Sequence, residues 1–281
     1  MKPAPFTYLV AHSLDAALAL KAEHGDEARF LAGGQSLVPA MNFRLAQPAA
    51  LIDLNPLDEL DYIQSNGTLR IGALTRHRAL EKANAHPLLH EIMPHVAHWP
   101  IRTRGTIAGN LAHADPASEL PAAMVALGAR LKAQCNSGER WIEATDFFTG
   151  PLTTALGDDE MLTEVEVPTL PERTGTCFME LARRQGDYAM MGVAAVVTVD
   201  EMATCTAARL AYLSAGPTPM LVSDAGLVGT TLDDDAIAAA AETAKAAIDP
   251  AGTVHASAAY QRHIAGVLTR RALVKARDRI A

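Results

Sequence analysis

ARFLAGGQSLVPAMNFRLAQPAALIDL, residues 28–54, decides how the N-terminal part of the chain is built. ARFLA and ALIDL are short apolar runs that read as strands. Between them lie two glycines, a helix-forming run and Pro48. Working outward, FTYLV (residues 6–10) reads as an earlier strand, Ser13 caps a helix over SLDAALALKAEHG, and Gly25 ends it. About the first 55 residues therefore carry β-α-β-α-β grammar.

Further along, TLRIGAL (68–74) reads as a strand, LTRHRALEKANAH (74–86) as a helix and HPLLHEIMPHVAHW (86–99) as a second helical segment. ELPAAMVALG (119–128) predicts a helix and ARLKAQC (129–135) a strand. The alternating EMLTEVEVP (160–168) predicts another strand, broken off by Pro168 and Pro171. A new strand-rich block opens with TCFMELARR, which sets a domain boundary near residue 172. MGVAAVVTVD (191–200) and TCTAARLAYLSAG (204–216) read as paired strands. DDDAIAAAAETAKAAI (233–248) and SAAYQRHIAGVLTRRALVKARDRI (257–280) read as helices over one face of their sheet. The fold class expected is α+β.

The 281 residues are 49% hydrophobic, enough for a sizeable core and too apolar for a disordered or fibrous chain. A formal charge of -8 argues against nucleic acid as the main partner. The longest apolar stretch, MGVAAVVTV, is too short to span a bilayer, so no membrane insertion is expected. MKPAPFTYLVAHS places two prolines and a histidine where a signal segment needs an apolar run, and a cytoplasmic protein is expected. Cys135, Cys177 and Cys205 are far apart and form no C-x-x-C pair. They cannot supply four thiolates to an iron–sulphur cluster and read as ordinary buried or half-buried thiols.

Two segments carry chemistry. In Ala32-Gly33-Gly34-Gln35-Ser36-Leu37, between strand and helix, adjacent glycines bring successive N–H groups close to an anion. Ser36 and the helix start add donors, so a pyrophosphate suits it; a tight β-α turn is the equal alternative. The segment is neither G-x-G-x-x-G nor G-x-x-x-x-G-K-[ST], which disfavours an ordinary dinucleotide dehydrogenase and a P-loop nucleotidase. The second segment, Thr106 to Glu119, gathers hydroxyl, amide, imidazole and carboxylate groups in a turn-rich stretch. Asp115 and Glu119 cannot offset phosphate charge, so sugar hydroxyls or backbone amides are their natural partners; capping and loop-locking by Asp115, Ser118 and Glu119 is the competing reading. Arg102 and Arg104, just before it, either neutralise phosphate, meet a partner or belong to a solvated turn. His86, His90, His95 and His98 are interrupted by Pro94 and form no H-E-x-x-H pattern, so no metal site is assigned. No G-x-S-x-G elbow supports a hydrolase, and no catalytic side chain is assigned. The basic run TRRALVKARDR (269–279) reads as a solvated helix face or a subunit-docking surface.

AGGQSL together with RTRGTIAGNLAHADPASELP resembles the paired flavin-binding signature of the FAD-binding medium subunit of the molybdenum hydroxylases, the xanthine dehydrogenase and carbon monoxide dehydrogenase type enzymes. FMELARRQGDYAMMGVAAVV resembles the start of that subunit's C-terminal domain, so the resemblance covers essentially the whole chain. It implies a two-lobed FAD-binding domain over residues 1–172, with lobes of about 1–56 and 57–172, and a small α+β domain over 173–281. Ala32, Gly33, Gly34, Gln35, Ser36 and Leu37 would wrap the pyrophosphate. Thr106, Gly109, Asn110, Ala114, Asp115 and Glu119 would continue around phosphate, ribityl and adenosine. Leu162 and Tyr188 would lie close to the cofactor, although Tyr188 also reads as a core or interface aromatic. His77 reads as structural, with room for it near the cofactor.

The resemblance further implies noncovalent FAD, since AGGQSL has no His or Cys. Electrons would come from a large molybdenum-cofactor subunit through 2Fe-2S clusters on a small iron–sulphur subunit, in a dimer of heterotrimers, and would pass to an external electron acceptor. A stand-alone flavin-dependent oxidase and a non-catalytic assembly or interaction protein that has kept the fold are the alternatives. Three departures stand out. Ala108 replaces a glycine and Asn110 replaces a serine of some relatives. Met179 and Glu180 stand where some members carry lysine, which leaves the acceptor open.

Overall fold

Residues 2–280 are described by a computed structural model. The first lobe runs β1 (Thr7–Val10), α1 (Leu14–His24), β2 (Ala28–Leu31), α2 (Leu37–Asn42) and β3 (Ala50–Asp53). The three strands are parallel in the order β1-β3-β2, so each helix is a crossover, as the alternation of strand and helix patterns predicts. Ser13 Oγ accepts the Ala16 N–H at the start of α1, and Gly25 takes φ 52° at its end. α2 is shorter than the run GGQSLVPAMNFRL allows, because Arg44 turns to φ 58° just past it.

The second lobe comprises β4 (Ile63–Ser65), β5 (Thr68–Gly72), α3 (His77–Ala83), α4 (Pro87–Ile92), α5 (Trp99–Arg102), α6 (Ile107–His113), α7 (Glu119–Leu127), β6 (Arg130–Cys135), β7 (Gly138–Glu143), α8 (Ala144–Phe147), β8 (Phe148–Gly150), β9 (Thr153–Thr154) and β10 (Met161–Pro168). Its main sheet is antiparallel in the order β4-β5-β10-β6-β7, and Val165 of β10 lies between Ile71 and Leu131. Central position explains why β10 is buried on both faces despite its alternating sequence. Glu164 is submerged there and takes a bidentate ion pair from Arg70 and a hydrogen bond from the Tyr62 hydroxyl. The segment 86–99 is not one helix. α4 stops before Pro94, which has no N–H to continue it, and the chain restarts as α5.

The C-terminal part is an antiparallel meander, β11 (Thr174–Ala182), β12 (Ala189–Val199), β13 (Cys205–Leu213) and β14 (Met220–Ser223), followed by α9 (Asp234–Ala247) and α10 (Ala258–Arg277). Its own helices cover one face, where Met191, Val193, Leu210 and Tyr212 meet Ile237, Ile264 and Leu268. The opposite face, with Phe178, Ala194, Val196, Ala211 and Leu213, belongs to the core shared by the two lobes. β12 is accordingly apolar almost without interruption instead of alternating. α7 is the layer between: all nine of its residues are buried. Arg209 of β13 donates to the Val125 and Ala126 carbonyls at its C-terminal end, at 2.7 and 2.8 Å. A polar latch adds to this: Glu91 of α4 accepts from Lys275, from Arg279 and from the Phe178 N–H. Among the described residues no helix is long and apolar enough to cross a membrane.

Candidate functional site

The two segments singled out in the sequence meet at the junction of the lobes. Gly33 is pressed against the second lobe so tightly that a Cβ built on it would lie 2.3 Å from the Arg104 carbonyl oxygen and 2.8 Å from the Gly105 Cα. Gly34 follows with φ 72°. The N–H groups of Gly33, Gly34, Gln35, Ser36 and Leu37 donate to no backbone acceptor among the described residues. Ser36 Oγ caps none of them, and the Gln35 amide folds back onto the Gly33 carbonyl at 3.0 Å. A run of unshared N–H groups packed against the Arg104–Gly105 backbone, with the Arg104 side chain exposed, is a donor set for an anion, and a diphosphate fits it.

The second segment behaves differently. Thr106 caps α6, its Oγ1 accepting the Gly109 N–H at 3.1 Å. The remaining first-turn donors are taken as well: Ile107 N–H reaches the Thr75 carbonyl and Ala108 N–H the Ala73 carbonyl. Gly109 earns its place by bulk, since a Cβ there would sit 2.7 Å from Thr106 Oγ1 and 3.7 Å from the Ala32 Cβ across the lobe boundary. Asn110 Oδ1 accepts the Ser118 hydroxyl at 2.9 Å, which leaves its Nδ2 donors for a partner. Ala114, at φ 52°, ends α6 and swings the chain into a loop in which Asp115 Oδ1 accepts the Ala117 N–H. The extra methyl of Ala108 is buried in the core at 6% exposure and does not enter the loop.

Tyr188, just before β12, is two-thirds exposed and leans on this loop. Partial burial of its phenol, and then the carboxylates of Asp115 and Glu119, push its pKa above the ordinary value. Glu119 begins α7 at 6% exposure, and burial, with the charges of Glu180 and Asp115, pushes its pKa up to about 8. Leu162 is the outlier. Its side chain is in the core at 4% exposure, in the same cluster as Ile107, Ala108 and Leu111 of α6, and its strand is tied to that helix by a relay, the Thr163 carbonyl accepting from the Ala73 N–H whose own carbonyl holds Ala108.

Several supporting residues carry no sequence motif. Arg76 donates from Nη1 to the Arg104 carbonyl at 2.5 Å and from Nη2 to Asn55 Oδ1 at 2.7 Å. Asn55 Nδ2 donates to the Ala32 carbonyl at 3.1 Å. Asn55 also bonds Asp53, to which the Tyr8 hydroxyl donates. Burial works against the Asp53 charge, but these hydrogen bonds outweigh it and hold its pKa below the usual range. The network clamps the first lobe's turn onto the second lobe, and burial with the neighbouring Arg104 lowers the Arg76 pKa. His77 is structural: at 4% exposure it bonds the Thr106 carbonyl through Nε2 at 2.9 Å, and burial lowers its pKa to about 4, so it is neutral. Arg102 is structural too, buried against Glu81 and the Val96 and Ala97 carbonyls. Of the two arginines only Arg104 is free to face a phosphate. Among the described residues no three His, Cys, Asp or Glu side chains are grouped to hold a metal ion.

Comparison with known proteins gives this geometry a family. Residues 4–170 match the FAD binding domain in molybdopterin dehydrogenase, and residues 176–276 the CO dehydrogenase flavoprotein C-terminal domain. The 6-hydroxypseudooxynicotine dehydrogenase complex subunit alpha of Paenarthrobacter nicotinovorans is 43% identical, over 99% of this chain and 97% of its own length. Caffeine dehydrogenase subunit beta of Pseudomonas sp. (strain CBB1) is 38% identical over 100% and 97%. A chain of the carbon monoxide dehydrogenase from Hydrogenophaga pseudoflava, solved lacking the Mo-pyranopterin moiety of its cofactor, superposes with a TM-score of 0.96 at 35% identity, covering 100% of both chains. Free amides at a glycine-tight lobe junction, a two-lobed α+β domain backed by a four-stranded one, and end-to-end matches at these identities lead to one conclusion: the chain belongs to the FAD-binding medium subunits of the molybdenum hydroxylase family.

Proposed function

We propose that this chain is the flavoprotein subunit of a multi-subunit molybdenum-containing oxidoreductase and that it holds FAD noncovalently at the lobe junction. The observation that carries the reading is the unshared N–H run of residues 33–37, closed against the Arg104–Gly105 backbone by a glycine that tolerates no side chain. The flavin-binding part is residues 1–172, with lobes of about 1–56 and 57–172, and the supporting domain is residues 173–281.

When bound, FAD would supply the electron-carrying chemistry between the 2Fe-2S clusters of a small partner, fed by a large molybdenum-cofactor subunit, and an external acceptor. The work of this chain is to bind and orient. Ala32 to Leu37 receive the diphosphate with Arg104 as counter-charge, while the Arg76–Asn55–Ala32 clamp keeps the two lobes at the spacing the diphosphate needs. Thr106 and Gly109 shape the second wall without donating to the anion, and Asn110, Ala114 and Asp115 face the hydroxyl-bearing part of the cofactor. Tyr188 screens the cofactor from solvent, and Leu162 stiffens the wall from behind. Assembly as a dimer of heterotrimers follows the same reading.

The test is gentle purification of the native assembly, release of its cofactor by denaturation and mass identification of every polypeptide. Released FAD with a large and a small partner supports the proposal. Reduction of the isolated chain's flavin by a substrate of its own would move the reading to a stand-alone oxidase. A chain that neither contains nor takes up FAD overturns it and favours an assembly protein.

A further inference from the structure

Behind the loop that carries Asp115, two carboxyl groups are buried without a cation between them. Glu119, on the first turn of α7, is 6% exposed. Glu180, on β11, has a side chain only 4% exposed; its Oε1 is 3.0 Å from His95 Nδ1, while its Oε2 is buried with no hydrogen-bond partner. The other charged groups facing this pair are few and mostly acidic. Asp115 and Tyr188 approach from the loop side. Arg209 is engaged by carbonyls at the opposite end of α7, and Glu91 of α4 is taken by Lys275 and Arg279. Among the described residues only His95, itself partly exposed and stacked edge-on against Phe178, offers compensation.

Two ionised carboxylates so placed would repel each other at little solvent screening, and a bound diphosphate would add a third source of negative charge. A proton on one of them removes the conflict. We propose that the chain receives its flavin with Glu119 in the neutral acid form and that Glu180, oriented by His95, is the positioning residue that keeps the proton there. Flavin binding thereby retains a proton and weakens as the solution becomes alkaline. The neutral carboxyl is a hydrogen-bond donor as well as an acceptor, suited to a sugar hydroxyl or a phosphate oxygen, which a carboxylate is not. Burial and the Glu180 charge, which push the Glu119 pKa to about 8, agree with this placement. The Glu119–Glu180 pair thereby ties the chain's flavin affinity to pH.

This rests on the reading that Glu119 faces the flavin, so the test has one readout that needs no flavin. In the full chain freed of FAD, carbon-13-labelled glutamate is titrated by NMR, with Glu119→Gln assigning the signal. A carboxyl still protonated at neutral pH that titrates near pH 8 supports the proposal, and titration in the ordinary carboxylate range overturns it. In Glu180→Gln the midpoint moves down; an unmoved midpoint removes Glu180 from the role. Equilibrium FAD binding is then measured from pH 6.5 to 9.5. Above its midpoint the chain loses about tenfold in affinity per pH unit, and Glu119→Gln flattens that dependence. A normal NMR result with pH-independent FAD affinity overturns the link to the flavin alone. Absence of any FAD binding, with the NMR result intact, counts against the proposed function and leaves the proton assignment standing.

Discussion

Gly33→Ala is the sharpest test of the lobe junction. The added methyl would start 2.3 Å from the Arg104 carbonyl oxygen and 2.8 Å from the Gly105 Cα, both backbone atoms with no rotamer to escape into. Ordinary carbon–oxygen contact needs roughly 1 Å more, so the first-lobe turn must back away from the second lobe by about that distance. Overpacking of this kind costs about 1–3 kcal/mol. Retreat also stretches the one bond of the clamp that crosses between the lobes, from Arg76 to Asn55 Oδ1, worth about 1 kcal/mol. The expected loss is therefore about 2–4 kcal/mol, a fall in melting temperature on the order of 5–15 °C for a chain of this length. FAD affinity should fall by at least about tenfold, because 1 Å of misplacement spoils most of the amide contacts. Calorimetric melts and fluorescence titration with FAD are the assays. Gly157→Ala is the control: its Cβ would touch only the Glu160 and Asp159 side chains, at 3.4 Å or more. A Gly33→Ala chain that melts and binds FAD like the control would refute the idea that close backbone approach builds this site.

Stability should peak near pH 6.5. His77 and His86 have pKa values lowered by burial from 6.5 to about 4, so the unfolded chain binds their protons first and acid weakens the fold. Glu119, raised from 4.5 to about 8, holds a proton the unfolded chain has lost and weakens it as pH rises. With the three groups summed, denaturant titrations at pH 4.5, 6.5 and 8 should show net losses of about 2 kcal/mol on the acid side and about 1 kcal/mol on the alkaline side; a flat profile contradicts the assignments. Glu91→Gln should cost about 1–3 kcal/mol by loosening α10 from α4, read as a lower melting temperature, and an unchanged melt would show the latch to be ornamental. Cys177, fully buried with its thiol pushed up to about 11, should resist iodoacetamide at pH 8 until the chain unfolds. Rapid labelling of the native chain at that position would refute its placement.

How much could be read from residues alone depended on whether the signal was local. The first lobe was legible because each strand–turn–helix step lies within a dozen residues and ends in a glycine or proline. The short strands β4 and β7 and the hairpin of β8 and β9 were not, because they are brief and rich in polar residues, nor was β14, apolar but only four residues long; all form only against a partner. In the site, Gly33 and Gly34 were visible as a motif. The clamp of Arg76, Asn55, Asp53 and Tyr8 was hidden: four ordinary polar residues spread over about seventy positions carry no spacing rule. Arg102 and Arg104 looked equivalent, and only packing separates them into a buried brace and an exposed cation.

The sequence by itself determined the α+β class, the parallel crossover lobe and the family signature, since these rest on periodicity, turn chemistry and short motifs that neighbouring residues express together. Tertiary structure alone decided which donors remain free, that Ile107, Ala108 and Gly109 at the start of α6 spend theirs on the Thr75 carbonyl, the Ala73 carbonyl and Thr106 Oγ1, and that Leu162 lies in the core. It also brought Glu119 and Glu180, sixty-one positions apart in the chain, into one buried acidic site. Hydrogen-bond satisfaction and electrostatic coupling depend on distance in space, and a linear string records only distance along the chain.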